Sequence, residues 1–81
     1  MRRPLARVQV ASRTIDSVGY DGATGVLEIL CTDGALYRYT NVPEEVHFQL
    51  MHAPSKGDYW RRHIHGYYPY ERVATELPAD L

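Results

Sequence analysis

The chain has 81 residues, 44% of them hydrophobic, with nine basic and ten acidic side chains and a single cysteine. That is one domain near the lower limit of what a single apolar core holds together without staples, and a lone Cys31 excludes an intramolecular disulfide scaffold. No apolar run approaches the roughly 20 residues that cross a bilayer, and the basic start Met1-Arg2-Arg3-Pro4-Leu5-Ala6-Arg7 lacks the apolar stretch of a signal peptide, so a cytoplasmic location is expected.

The net charge of −1 is unevenly spread. Residues 1–13 carry Arg2, Arg3, Arg7 and Arg13 with no acid, and residues 14–50 carry six acids against Arg38 alone. Net charge therefore predicts no polyanion partner, whereas a local basic surface does. Residues 1–11 read as a flexible basic tail, within which Leu5, Val8 and Val10 offer a short edge strand as the alternative. A single domain follows over 12–73, and residues 74–81 read as a C-terminal tail.

Ile15, Val18 and Tyr20 mark a first strand, ended by the turn formers Asp21-Gly22-Ala23-Thr24-Gly25. Val26 to Cys31 is a second strand, with Leu27, Ile29 and Cys31 on one face and Glu28 on the other. The next turn follows from register. A two-residue Asp33-Gly34 loop sets Glu28 against Tyr39, a carboxylate under an aromatic face. A three-residue loop, Thr32-Asp33-Gly34 with Gly34 left-handed, sets Cys31 against Ala35, Ile29 against Tyr37 and Leu27 against Tyr39. One face is then apolar or aromatic and Glu28, Leu36 and Arg38 share the other; a one-residue slip would exchange the faces, so the three-residue loop is chosen.

Helical signals begin at Asn41. Pro43 suits the first helical turn, Glu44 and Glu45 suit the positive helix N-terminus, and Val46 and Leu50, with Phe48 and Met51 beside them, give an apolar stripe. Pro54 stops this helix. Ser55 and Asp58 resemble a capping box opening a second helix that carries Tyr59, Trp60 and Ile64 and ends at Gly66. Tyr67 to Val73 reads as an extended return segment or edge strand, because Pro69 cannot donate to a ladder. The expected class is α+β: a small antiparallel meander with two short helices packed on one face.

These pieces in this order resemble the KTSC domain, a short bacterial module named for its occurrence at the C-terminus of some lysyl-tRNA synthetases. The resemblance covers roughly residues 12 to 73. It rests on Ser17-Val18-Gly19-Tyr20-Asp21, Leu27 with Ile29, Gly34 leading to Tyr37-Arg38-Tyr39, Val42-Pro43, Ser55-Lys56-Gly57-Asp58-Tyr59, Ile64 and Tyr68-Pro69-Tyr70. Two departures stand out: Cys31 where an aromatic or larger aliphatic residue is expected, and a segment from Trp60 to His65 richer in bases than the family in general. The resemblance implies a fold and carries no established activity; RNA binding is the usual suggestion for the family. Tyr37, Tyr39, Pro43, Gly57 and Tyr70 are its signature positions.

Tyr37 and Tyr39 either stack on nucleobases or lie over the core beneath the helices. The chosen register puts them with Leu27 and Ile29 and favours the core, with Arg38 exposed on the other face. Lys56, Arg61, Arg62, His63 and His65, placed among Trp60, Tyr67 and Tyr68, are the candidate binding surface, with exposed Arg38 as a further contact: cations meet phosphate and rings stack on bases. The competing reading is an ordinary solvated face, since Trp60 and Ile64, four apart, turn inward. Arg2, Arg3, Arg7 and Arg13 either extend that surface or solubilise a tail.

Ser55-Lys56-Gly57 at a helix start suits a single anion, without the long glycine-rich loop of a nucleotide triphosphatase. No histidine pair has the i, i+4 spacing of a helical zinc site, and Cys31 falls in the apolar period of a strand, where the thiol is inert. The expectation is a non-enzymatic binding module without cofactor, metal, membrane or small-molecule substrate. Its expected partner is RNA or single-stranded nucleic acid; the alternative is a protein docked through the aromatic surface or an edge strand.

Overall fold

The computed structural model describes residues 5–73; Arg2, Arg3 and the tail expected over 74–81 lie outside them. In chain order the elements are β1 (Arg7–Gln9), β2 (Ile15–Asp21), β3 (Val26–Cys31), β4 (Leu36–Tyr39), α1 (Glu44–His52), α2 (Lys56–His63) and β5 (Tyr70–Val73). The strands form one sheet in the order β1-β2-β3-β4-β5, every neighbour antiparallel, so the expected α+β meander with two helices is present. β1 takes up part of the segment read as a tail and forms one edge, where Val8 pairs with Val18.

Strand faces follow from turn chemistry. At the β3–β4 corner the Gly34 N–H donates to Cys31 O at 2.9 Å and the Cys31 N–H to Ala35 O at 2.8 Å, with Gly34 at φ 96°. This is the three-residue loop with a left-handed glycine. It sets Leu27 opposite Tyr39 and Ile29 opposite Tyr37, as the face argument requires. At the β2–β3 corner the Asp21 carbonyl accepts the Gly25 N–H at 2.8 Å, and its Oδ1 accepts the Ala23 N–H. Between Ile15 and Ser17 the pairing with β3 shifts by one residue, a bulge at Asp16. That bulge lets Ile15 and Val18, three apart, both reach the core.

The chain leaves β4 through Asn41, held at φ 61°, a left-handed conformation that asparagine tolerates. Pro43 sits one residue before the first helical residue, at the N-cap, rather than inside the first turn. Both helices cross the face that carries Ile15, Val18, Leu27, Ile29 and Tyr39, and they bury Leu50, Trp60 and Ile64 against it. Phe48 falls outside the expected stripe: it is exposed and stacks on His52 at 4.1 Å. The Asp58 N–H donates to Ser55 Oγ at 3.3 Å, the N-cap half of the expected capping box. α2 ends at His63, and the turn to β5 runs through Gly66 at φ 95°.

Candidate nucleic-acid interface

The residues predicted as one surface separate into three places. Arg38 lies on the sheet face away from the helices and is bound rather than exposed, its side chain 19% accessible. Its guanidinium meets Glu28 at 2.9 Å and Glu71 at 3.2 Å. Arg7 also meets Glu28, at 2.7 Å. The register explains the arrangement: Arg7 pairs with Gly19, Gly19 with Glu28, Glu28 with Arg38, and Arg38 with Glu71, one straight row across five strands. Gly19 leaves the lane open for Arg7; a Cβ there would stand 3.0 Å from Arg7 Cγ and 3.1 Å from the Ala6 carbonyl. The expected exposure of Arg38 fails because Glu28, only 3% accessible, sits between two guanidinium groups. Arg7, named as a tail cation, belongs to this row and not to a surface with α2.

His65, expected beside Arg61 and Arg62 on a binding or solvated face, is half-buried and turns inward. Trp60 Nε1 donates to Tyr39 Oη at 2.7 Å, and Tyr39 Oη shares a 2.7 Å bond with His65 Nδ1. Trp60 is a donor only, so each group is satisfied when Tyr39 donates to Nδ1 and the imidazole proton rests on Nε2. Burial pushes the Tyr39 hydroxyl well above the usual tyrosine range, only partly offset by the bond from Trp60. Tyr37 and Tyr70 pack at the rim of this cluster, 5.6 Å apart, with Arg72 6.0 Å over the Tyr37 ring. Tyr39 is therefore a core residue, the preferred of its two readings, and Tyr37 is half-buried against that core. Tyr68 is half-buried against the same core, whereas Tyr67 is 70% accessible.

Lys56, Arg61 and Arg62 remain together on α2. The Arg61 and Arg62 side chains are 58% and 71% accessible, and both lean on Asp58, Arg62 at 3.1 Å and Arg61 at 3.8 Å. Lys56 Nζ donates to the Ala53 carbonyl. Arg13, Lys56 and Arg61 line one cleft of about 510 Å3 between the β1–β2 connection and the start of α2. The connection is held in place from both sides. Ser12 Oγ accepts the Thr14 and Ile15 N–H groups at 3.1 Å, and Thr32 donates through its hydroxyl to the Arg13 carbonyl. Gly57 is the floor: it is buried, and a Cβ would stand 3.2 Å from Thr14 Cβ. Its signature position is thus accounted for by close packing of α2 on the β1–β2 connection.

Sequence reasoning offered Arg13 as an extension of the surface or as a solubilising tail cation, and missed Ser12. The available signal was Ser12-Arg13-Thr14 immediately before a strand, a hydroxyl placed to bond the backbone two and three residues on. Cys31 is buried, and that burial pushes its thiol up, with Asp33 adding to the effect. Among the described residues no group of three metal-ligating side chains comes together, and no helix is long and apolar enough to cross a membrane.

A meander of five strands with a helical pair inserted before the last one, closed by a Trp–Tyr–His cluster, defines a small α+β domain. The chain belongs to the KTSC domain family, whose model matches residues 11–68. It is 35% identical to a KTSC domain protein of Yersinia pestis, whose crystal structure superposes with a TM-score of 0.81 over 88% of this chain and the whole of that one. It is also 40% identical to a protein of Stutzerimonas stutzeri described only as uncharacterised, over 72% of this chain and 82% of the relative. A lysine–tRNA ligase of Nostoc is 35% identical over 74% of this chain, and there the match spans 11% of the larger protein.

Proposed function

We propose that this domain is a non-enzymatic module that binds RNA or single-stranded nucleic acid weakly through the α2 face. The observation that carries the reading is the convergence of Arg13, Lys56 and Arg61 on one cleft from two separate segments, with Arg62 on the next helical position. Asp58 is the single acid among the cleft residues, and Arg62 engages it at 3.1 Å. Phosphate contacts of this kind hold a strand without reading its sequence. Exposed Tyr67, beyond the C-terminal end of α2, offers a ring for stacking. Similarity to a segment of lysine–tRNA ligases is consistent with an RNA context, as an analogy and no more. Catalysis through Cys31 is disfavoured by a buried thiol held in its protonated form.

A second reading has its own observation: among the described residues β1 and β5 are the two edges of the sheet, and Val8 on β1 is exposed. A protein strand added to either edge would bind through backbone hydrogen bonds and tolerate salt. Fluorescence anisotropy with labelled tRNA and a single-stranded DNA oligomer, titrated at low and physiological salt, separates the two. Saturable binding is expected, weakening with salt, and the Arg61→Ala/Arg62→Ala variant should lower the slope of log affinity against log salt by about 1 to 2. No binding at low salt would end the nucleic-acid reading and turn attention to the strand edges.

A further inference from the structure

We infer that the cleft between residues 11–14 and α2 receives a terminal phosphate monoester of a nucleic-acid strand, an inference that rests on the nucleic-acid reading above. The cations set the charge of the ligand. Arg13, Lys56 and Arg61 line a single volume of about 510 Å3. Arg61 folds back so that its Nη1 lies 3.7 Å from where a Gly57 Cβ would be. The one carboxylate of the lining, Asp58, is engaged chiefly by Arg62 at 3.1 Å, with Arg61 farther off at 3.8 Å. An internal phosphodiester brings one negative charge and must continue out of the cleft in two directions. A terminal monoester brings about −1.5 to −2 and continues in one.

The hydroxyls set the polarity of the hydrogen bonds. Ser12 Oγ already accepts two backbone N–H bonds, and Ser55 Oγ accepts that of Asp58. Ser12 has both lone pairs engaged, so its remaining capacity is its O–H, a donor. Donors and cations line the cleft, with its single acceptor-rich group already engaged, which matches the three free oxygens of a monoester. Gly57 lets α2 pack close against Thr14, which brings Lys56 and Arg61 up to the β1–β2 connection that carries Arg13.

Oligonucleotides of one sequence, carrying a 5′-phosphate, a 3′-phosphate or hydroxyls at both ends, test this by anisotropy at constant salt. The expected result is about five- to tenfold tighter binding of one phosphorylated form than of the hydroxyl form. That preference should vanish in Arg13→Ala and Lys56→Ala and survive in Arg72→Ala, which removes the same charge from β5 outside the cleft. Which end is preferred identifies the source of the monoester. Equal affinity for all three would overturn the inference and leave the nucleic-acid reading standing, whereas absence of binding to any of them would overturn both. A preference that persists in both cleft variants would also overturn it, by moving the phosphate elsewhere. Thermal melts of the variants report folding. Inorganic phosphate added to the unaltered protein should shift the amide resonances of Thr14 and Gly57, and unmoved resonances there count against the cleft.

Discussion

The two faces of the sheet solve the same problem by opposite means. On the helix side Tyr39 is fully buried beneath Trp60 and Ile64, and its hydroxyl is answered by one indole and one imidazole. On the other side no helix packs among the described residues, yet Glu28 is as inaccessible as a core residue because Arg7 and Arg38 close over it. One face buries a polar atom under apolar mass; the other buries a charge under the stems and heads of longer charged side chains. The helix face therefore depends on packing volume and the open face on geometry across strands, which makes the two separable by mutation.

The largest effect is expected from the helix face. Tyr39→Ala empties a site at the centre of the core and leaves Trp60 Nε1 without its acceptor, a loss of about 3–5 kcal/mol. Tyr39→Phe keeps the ring and removes only the hydroxyl, for about 1–3 kcal/mol. Urea denaturation of both variants measures the split between volume and hydrogen bonding. If the two variants are equally unstable, the ring contributes little and the contrast drawn between the faces fails.

On the open face Glu28→Ala leaves two guanidinium groups facing each other, both partly hydrated, and should lower stability by about 2–4 kcal/mol. Added salt should narrow its difference from the unaltered protein, which salt should not do for Tyr39→Phe. Gly19→Ala probes the same row without touching a charge. Its methyl would meet Arg7 Cγ, with a loss of about 1–2 kcal/mol. Combined with Arg7→Ala that loss should shrink, because part of it is the crowded side chain; strict additivity in the double variant would mean that the Ala6 carbonyl and Leu5 Cβ cause it.

How much of this was legible follows from which interactions are local. The β3–β4 register, the apolar partners of Tyr37 and Tyr39, the Ser55 cap and the strand at Tyr70 are all set by residues within a few positions of one another, and alternation with turn chemistry finds them. Arg38 was misplaced although the chosen register already set it beside Glu28; its second partner, Glu71, comes from β5, distant in sequence, whose pairing no local signal fixes. The odd spacing of Ile15 and Val18 recorded the bulge at Asp16, although alternation alone does not say which residue is extra. His65 was assigned to the outer face by continuing α2 past His63; the helix ends there, and the turn swings the imidazole inward onto Tyr39. The candidate site was half legible: Lys56, Arg61 and Arg62 by proximity in sequence, Arg13 as one of two readings, and Ser12 only once the β1–β2 connection is seen to face α2.

The smallest effect is expected where the helix face meets solvent, at His47. This ring stacks on Tyr20 at 4.4 Å, and burial lowers its pKa below the ordinary histidine value, with Glu44 pulling the other way. A base whose folded pKa lies under its unfolded value near 6.5 binds more protons when unfolded. Its contribution to stability is therefore complete above that value, declines as pH falls through about 6.5, and levels off once the folded form also titrates. His47→Phe keeps a ring against Tyr20 and removes the proton. Stability measured from pH 8 to 5 should then fall less steeply in the variant than in the unaltered protein over that window. Glu28→Ala should leave this segment of the profile in place, since its carboxylate lies on the opposite face. An identical slope in His47→Phe would show that the imidazole is as well hydrated in the fold as in the unfolded chain, and the stack on Tyr20 would then lie outside the protected core.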